Sequence, residues 1–141
     1  MYSNIFPILF ETYNLTVYEF QFLSIIFSAC CYKIKVSCST CNKGAHVAHK
    51  HIYGYYYSQS GTVGGRQHYK SSDGQRAIWY NEGLNKWLIG KIEDLGNTMS
   101  WASVKTSEKC PYDPAFTWRF YNHGLSTWYD ADETLSIWCK S

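Results

Sequence analysis

From Ile52 onward, apolar and polar side chains alternate in short runs, and a period of two predicts β-strands with one buried face each. The runs are IYGYYY (52–57), RQHYK (66–70), RAIWYN (76–81), KWLIG (86–90), MSWAS (99–103), TWRFY (117–121), STWYD (126–130) and TLSIWC (134–139). Turn-forming stretches such as SQSGTVGG and SSDG separate them, which is the spacing of a small sandwich or barrel. No longer window sustains helical spacing. The expected fold is all-β: a small antiparallel sheet, a sandwich or a partly open barrel.

Two octets share one pattern. YNEGLNKW (80–87) and YNHGLSTW (121–128) both read Tyr-Asn-x-Gly-Leu-x-x-Trp, so each is expected to end a strand, turn and start the next. Gly83 and Gly124 would supply positive φ in the loop. Trp87 and Trp128 would face the preceding strand, where aromatic cross-strand pairs add about 0.2 to 1 kcal/mol. The module is therefore expected to be built on two related hairpins. Asn81 and Asn122, beside Tyr80 and Tyr121, are candidates for a polar and aromatic ligand surface, although turn chemistry alone already asks for Asn and Gly here.

Ahead of Ile52 the pattern changes. FQFLSIIFSACC (20–31) is too short to span a hydrocarbon core, which needs ~20 apolar residues, but has the length of a signal-peptide core. Glu11 and Glu19 precede it where basic residues are usual; a buried strand or helix, or extraneous sequence ahead of the module, are the alternatives. Residues 1–51 are expected to be a leader or anchor plus linker, and 52–141 the folded module. A membrane becomes a partner only if that apolar segment is an uncleaved anchor.

Composition sharpens the fold and narrows the partners. Aromatic residues make up 18% of the chain, with 13 Tyr and 6 Trp, and every Trp lies after residue 52. Such side chains suit pleated, half-buried surfaces. The net charge is +2 with 17% charged residues, and the module itself is neutral by count. No net field favours nucleic acid or an anionic surface.

Cysteine usage points to the compartment. Within 52–141 only Cys110 and Cys139 occur, and an even pair placed to clip the last strand is expected to form a disulfide in an extracellular protein. Closing that loop would contribute roughly 3 to 4 kcal/mol. Cys38, Cys41, His46, His49 and His51 have the residue types of a zinc site, but their pairs are too close for a finger to form between them. The acidic YDADET (129–134) lacks the glycine and spaced oxygens of a calcium loop. No metal or other cofactor is expected. His68 and His123 sit among many serines without a nucleophile elbow, so no catalytic residue is assigned and an enzyme is not expected.

Alternation in YGYYY sends Tyr53, Tyr55 and Tyr57 to one face and Gly54 and Tyr56 to the other. These three tyrosines, with Asn81 and Asn122, are the candidate ligand contacts. The segments IYGYYY, GGRQHYK, IWYN, KWLIG, DLG, WAS, CP, WRFYN and LSIWC, in this order, resemble a small aromatic-rich module that recurs in secreted or cell-surface proteins of marine invertebrates and protists. The resemblance implies an extracellular interaction unit and carries over no catalytic residue. The expected function is a non-enzymatic protein-binding module; carbohydrate binding is the alternative.

Overall fold

A computed structural model describes residues 30–38, 49–130 and 135–140. The described residues form nine strands: β1 Lys33–Cys38, β2 Gly54–Val63, β3 Arg66–Ser71, β4 Arg76–Asn81, β5 Lys86–Lys91, β6 Ala102–Lys105, β7 Arg119–Asn122, β8 Thr127–Asp130 and β9 Leu135–Cys139. Single 3-10 turns at Lys50–Ile52 and Ile92–Asp94 are the only helical elements among the described residues. The eight alternating runs after residue 52 correspond to β2 to β9, but β2 runs on through residues 58–63 of the stretch expected as a loop, and β6 starts three residues later than expected, at Ala102. The expected all-β fold is the observed one.

The strands form one antiparallel sheet in the order β8-β7-β6-β5-β4-β3-β2-β1-β9. This order has a consequence that chain length enforces. β8 and β9 lie at opposite edges of nine strands, yet Asp130 and Leu135 are five residues apart in sequence. Laid flat at ~4.8 Å per strand, those edges would be about 38 Å apart, whereas five extended residues reach roughly 17 Å. The sheet has to curl, and it forms a half-barrel.

One strand lies outside the expected module. In β1 the alternation Lys-Ile-Lys-Val buries Ile34 and Val36 completely and turns Lys33 and Lys35 outward. β1 pairs with β2 through Lys33↔Tyr57 and Lys35↔Tyr55, and with β9 through Lys35↔Trp138 and Val36↔Ile137. An interior strand cannot be linker, so the boundary expected at residue 51 is corrected: residues 30–38 belong to the fold. The apolar segment before Cys30 lies outside the described residues.

The concave face holds the main core. Ile34, Tyr56, Tyr69, Ile78, Trp87, Ile89 and Phe120 are fully buried there. On the outer face Ala77, Trp79 and Leu88 form a second cluster beneath Val63, Ile92 and Leu95. Aromatics on both faces of β4 thus have separate covers. Gly90 leaves room for this, since a Cβ there would lie 2.7 Å from the Trp79 ring.

The two octets do form matching hairpins. Tyr80 pairs with Trp87 and Tyr121 with Trp128, at ring-centroid separations of 5.4 and 5.3 Å. In each turn the Asn carboxamide oxygen accepts the Leu N–H, Asn81 from Leu84 at 3.0 Å and Asn122 from Leu125 at 3.1 Å. The expected role of the glycines is corrected. Positive φ falls on Asn85 (53°) and Ser126 (50°), not on Gly83 or Gly124. A Cβ on Gly83 or Gly124 would meet the capping Asn oxygen at an ordinary van der Waals distance, 3.5 or 3.4 Å, so neither positive φ nor close approach requires glycine there.

Strand direction alternates along the sheet, which sorts the connections between two ends. At one end lie the Gly64-Gly65 turn, the first octet turn and the long β6–β7 connection. At the other lie the β3–β4 turn, both ends of the β5–β6 connection, whose middle crosses the outer face so that Asn97 O accepts from Trp79 Nε1 at 3.0 Å, the second octet turn and the segment entering β2. The expected Cys110–Cys139 bridge is corrected as well: Cys110 is bonded to Cys30 and Cys139 to Cys31. Both bridges occupy the first end, because Cys30 and Cys31 precede β1 there. Trp87 Nε1 donates to Glu108 O at 3.0 Å, the Arg66 guanidinium donates to the carbonyls of Ser107 and Glu108, and Tyr112 Oη accepts the Cys31 N–H at 2.9 Å. These contacts and the Cys30–Cys110 disulfide staple the β6–β7 connection down, while Cys31–Cys139 ties the start of β1 to the end of β9. Cys38 is disulfide-bonded too, and no described cysteine is free.

Candidate functional site

The end without the two staples is open. A cavity of 590 Å³ there is bordered by Asp73, Gln75 and Arg76 from the β3–β4 turn, Lys91 and Glu93 after β5, and by His51 and Trp101. A second cavity of 260 Å³ shares His51 and Trp101 and adds Tyr121, Asn122, His123 and Tyr129. Tyr121 and His123 continue into a third of 230 Å³ beside Met99 and Trp128. The three cavities adjoin along the open end as a groove, His51 and Trp101 standing between the first two and Tyr121 and His123 between the second and third.

The sheet itself holds Trp101 in place. Its N–H donates to Ile89 O at 2.8 Å and its carbonyl accepts the Tyr121 N–H at 2.9 Å, so its backbone is clamped between β5 and β7 just before β6 begins. The indole stays half-buried, packed on the core at one side and open to the groove at the other. His51 meets it edge-on, with ring centroids 4.4 Å apart. His51 is held by its neighbour Ile52, which is fully buried and whose carbonyl accepts the Tyr56 hydroxyl at 2.7 Å.

In the β3–β4 turn Asp73 is locked on three sides. The Ser71 hydroxyl donates to it at 2.6 Å, the Gln75 N–H at 3.1 Å and the Arg76 guanidinium at 2.7 Å. The Ser71 hydroxyl foremost, then the Gln75 N–H, hold its carboxyl below the ordinary value. Glu93 pairs with Lys91 at 3.3 Å. The polar wall is therefore a set of fixed donors and acceptors.

The residues singled out from sequence fall into three places. Asn122 lines the groove, its oxygen committed to the turn and its amide nitrogen unengaged by the described residues. Asn81 lies at the stapled end, where its amide donates to Asn97 O at 3.4 Å, so the two octets cannot form one ligand surface. Tyr53 departs from the expected alternation. It precedes β2 and packs on the core with its hydroxyl buried and without a partner, and burial raises its pKa. Tyr55 and Tyr57 do share the outer face, each with Lys33 over its ring.

Trp101 and His51 were missed. Trp101 lies within one of the predicted runs, but nothing in its neighbours marks it as preceding the strand instead of packing within it. His51 was absorbed in a metal-like cluster whose Cys41 and His46 lie outside the described residues. The described ones contain no group of three metal-ligating side chains. Asp132 and Glu133 of the acidic stretch also lie outside them. No family model matches the chain, and no curated protein or solved structure is detectably similar to it.

Proposed function

We propose that this chain is a non-enzymatic extracellular module that binds carbohydrate in the open-end groove. The observation that carries this reading is the clamped Trp101 indole, facing a groove whose walls present a carboxylate, a guanidinium, carboxamides and imidazoles. A flat ring offers the apolar face that sugar C–H groups stack on, and fixed polar groups around it match hydroxyls. A cleft of this kind favours a saccharide over the flat patch a protein partner would need. The two interlocked disulfides support an oxidising compartment.

Binding without turnover fits the carboxylates. Glycoside hydrolysis needs one carboxyl kept protonated as a general acid. Asp73 is held below its ordinary value, so its carboxyl is not kept protonated for that role.

A glycan array probed with the full chain tests the proposal. Trp101→Ala is expected to weaken binding to any unsulfated hit by at least about tenfold, as loss of a central aromatic contact does. Asn122→Ala and Gln75→Ala should each weaken it without lowering the melting temperature by more than a few degrees. Tyr55→Ala should leave it unchanged. An array blank for unsulfated glycans at millimolar saccharide, or unsulfated hits indifferent to all three groove variants, would overturn the groove assignment.

A further inference from the structure

The neutral charge of the module hides a segregation that topology creates. Paired residues of antiparallel strands share a face, so the registers define two outward rows across β9, β1, β2 and β3. One row runs Lys33, Tyr57, Lys70, and the Lys140 N–H donates to Lys33 O at 2.9 Å, placing Lys140 beside it. The other runs Trp138, Lys35, Tyr55. Neither row contains a carboxylate. Neither of the two ion pairs among the described residues involves any of these lysines.

The amines lie against the rings. Lys33 Nζ is 4.5 Å from the Tyr55 centroid and 5.7 Å from that of Tyr57, Lys35 Nζ is 5.6 Å from Tyr55, and Lys140 Nζ is 5.7 Å from Trp138. Trp138 is 47% exposed and Tyr55 37%, so rings and amines together form the surface. Sheet geometry spaces the lysine positions at about 4.8 Å between neighbouring strands, 7 Å along β1 and 10 Å from β1 to β3.

We infer that this outer face is a binding surface for a sulfated polysaccharide. None of the three cavities is lined by these residues, and an extended polyanion can meet several lysines at once. Flat rings between the amines receive sugar faces, while each ammonium, a point charge with no planar geometry to satisfy, meets a sulfate. An anionic bilayer would present the same charge, but it favours rings that project into the interface. Here Tyr55 is 37% and Trp138 47% exposed, so both rings stay more than half buried in the sheet surface instead. This surface is separate from the Trp101 groove and does not depend on it.

Heparin is the probe, with the full disulfide-bonded chain, at about 0.15 M salt. Heparin is expected to bind and unsulfated hyaluronan is not. The triple variant Lys35→Ala, Lys70→Ala, Lys140→Ala should weaken heparin binding by at least about tenfold, while Lys50→Ala, Lys105→Ala, Lys109→Ala, with the same net charge, stays within about twofold of the parent. Trp138→Ala should weaken it further without changing charge. Absence of heparin binding, equal losses in the two triple variants, or capture by phosphatidylserine vesicles but not heparin would each overturn the inference. Because all six lysines are at least partly exposed and the groove is untouched, unchanged melting temperatures in both triple variants separate loss of binding from loss of fold.

Discussion

Gly64 shows how one residue can be fixed by its neighbour more than by its own dihedral angle. Gly64 and Gly65 both turn the β2–β3 hairpin with positive φ, at 58° and 73°. A Cβ on Gly64 would fall 2.1 Å from the Tyr80 carbonyl oxygen, whereas one on Gly65 meets nothing within 4 Å. Gly65→Ala should therefore cost only the left-handed penalty of about 1 to 2 kcal/mol, and Gly64→Ala clearly more, as backbone has to move. Urea midpoints at unchanged m-value measure both; equal losses would mean that the close approach is absent. Asp73 gives a second residue-scale test. Its carboxyl lies below the ordinary value of 3.8, so it stabilises the fold above that pH and loses the contribution as pH falls through the folded-state value. Asp73→Asn is expected to be less stable than the parent at neutral pH, with the gap closing at the lowest pH where both still fold. A gap independent of pH would show that the carboxylate charge plays no part. Neither effect was legible from sequence, because both depend on what a turn lies against or bonds to.

Elements tell a different story, since the octets were legible as hairpins and their fates were not. The same eight-position pattern gives the same register and the same Asn cap twice, yet β4–β5 lies within the sheet and β7–β8 at its edge. Trp87 is fully buried and Trp128 only partly. Trp87→Ala should cost about 3 to 5 kcal/mol, the range for a large buried ring, and Trp128→Ala well under half of that. Asn81→Ala and Asn122→Ala each remove one cap hydrogen bond and should cost a similar ~1 kcal/mol. Equal losses at the two tryptophans would contradict the different burial of the two copies. Ile89, Ala102, Phe120 and Tyr129 share the core face with Trp87, which leaves the Tyr121–Trp128 pair on the opposite face; the face a hairpin presents, which no local pattern encodes, decides which copy becomes core and which borders the groove. β1 went the other way. Its Lys-Ile-Lys-Val alternation carries the period of a strand, but cysteines and a long apolar run beside it made the segment resemble a linker.

At the scale of the molecule, closure joins the first described residues to the last. β1 is the sole described partner of β9 and covers one side of β2, and Cys31 bonds to Cys139 across this junction while Cys30 bonds to Cys110. The bridges close separations of 80 and 108 residues, for which chain entropy gives about 4 to 5 kcal/mol each. Pairing by proximity in sequence missed them, because a strand from the first part of the chain intervenes between the last strand and the rest of the sheet. It follows that residues 52–141 alone should not fold. Without β1, β9 has no ladder, β2 exposes an edge, Tyr56 loses the cover of Ile34 and Val36, and both Cys110 and Cys139 are left as thiols. The fragment is expected to lack a cooperative urea transition and to show two more reactive thiols than the full chain, in which Cys110→Ser should free Cys30 and leave the Cys31–Cys139 bridge intact. If instead the fragment melted cooperatively near the temperature of the full chain, or Cys110→Ser left Cys139 reactive and Cys30 bridged, the last strand would have to be held by something other than β1. The half-barrel would then need a different closure.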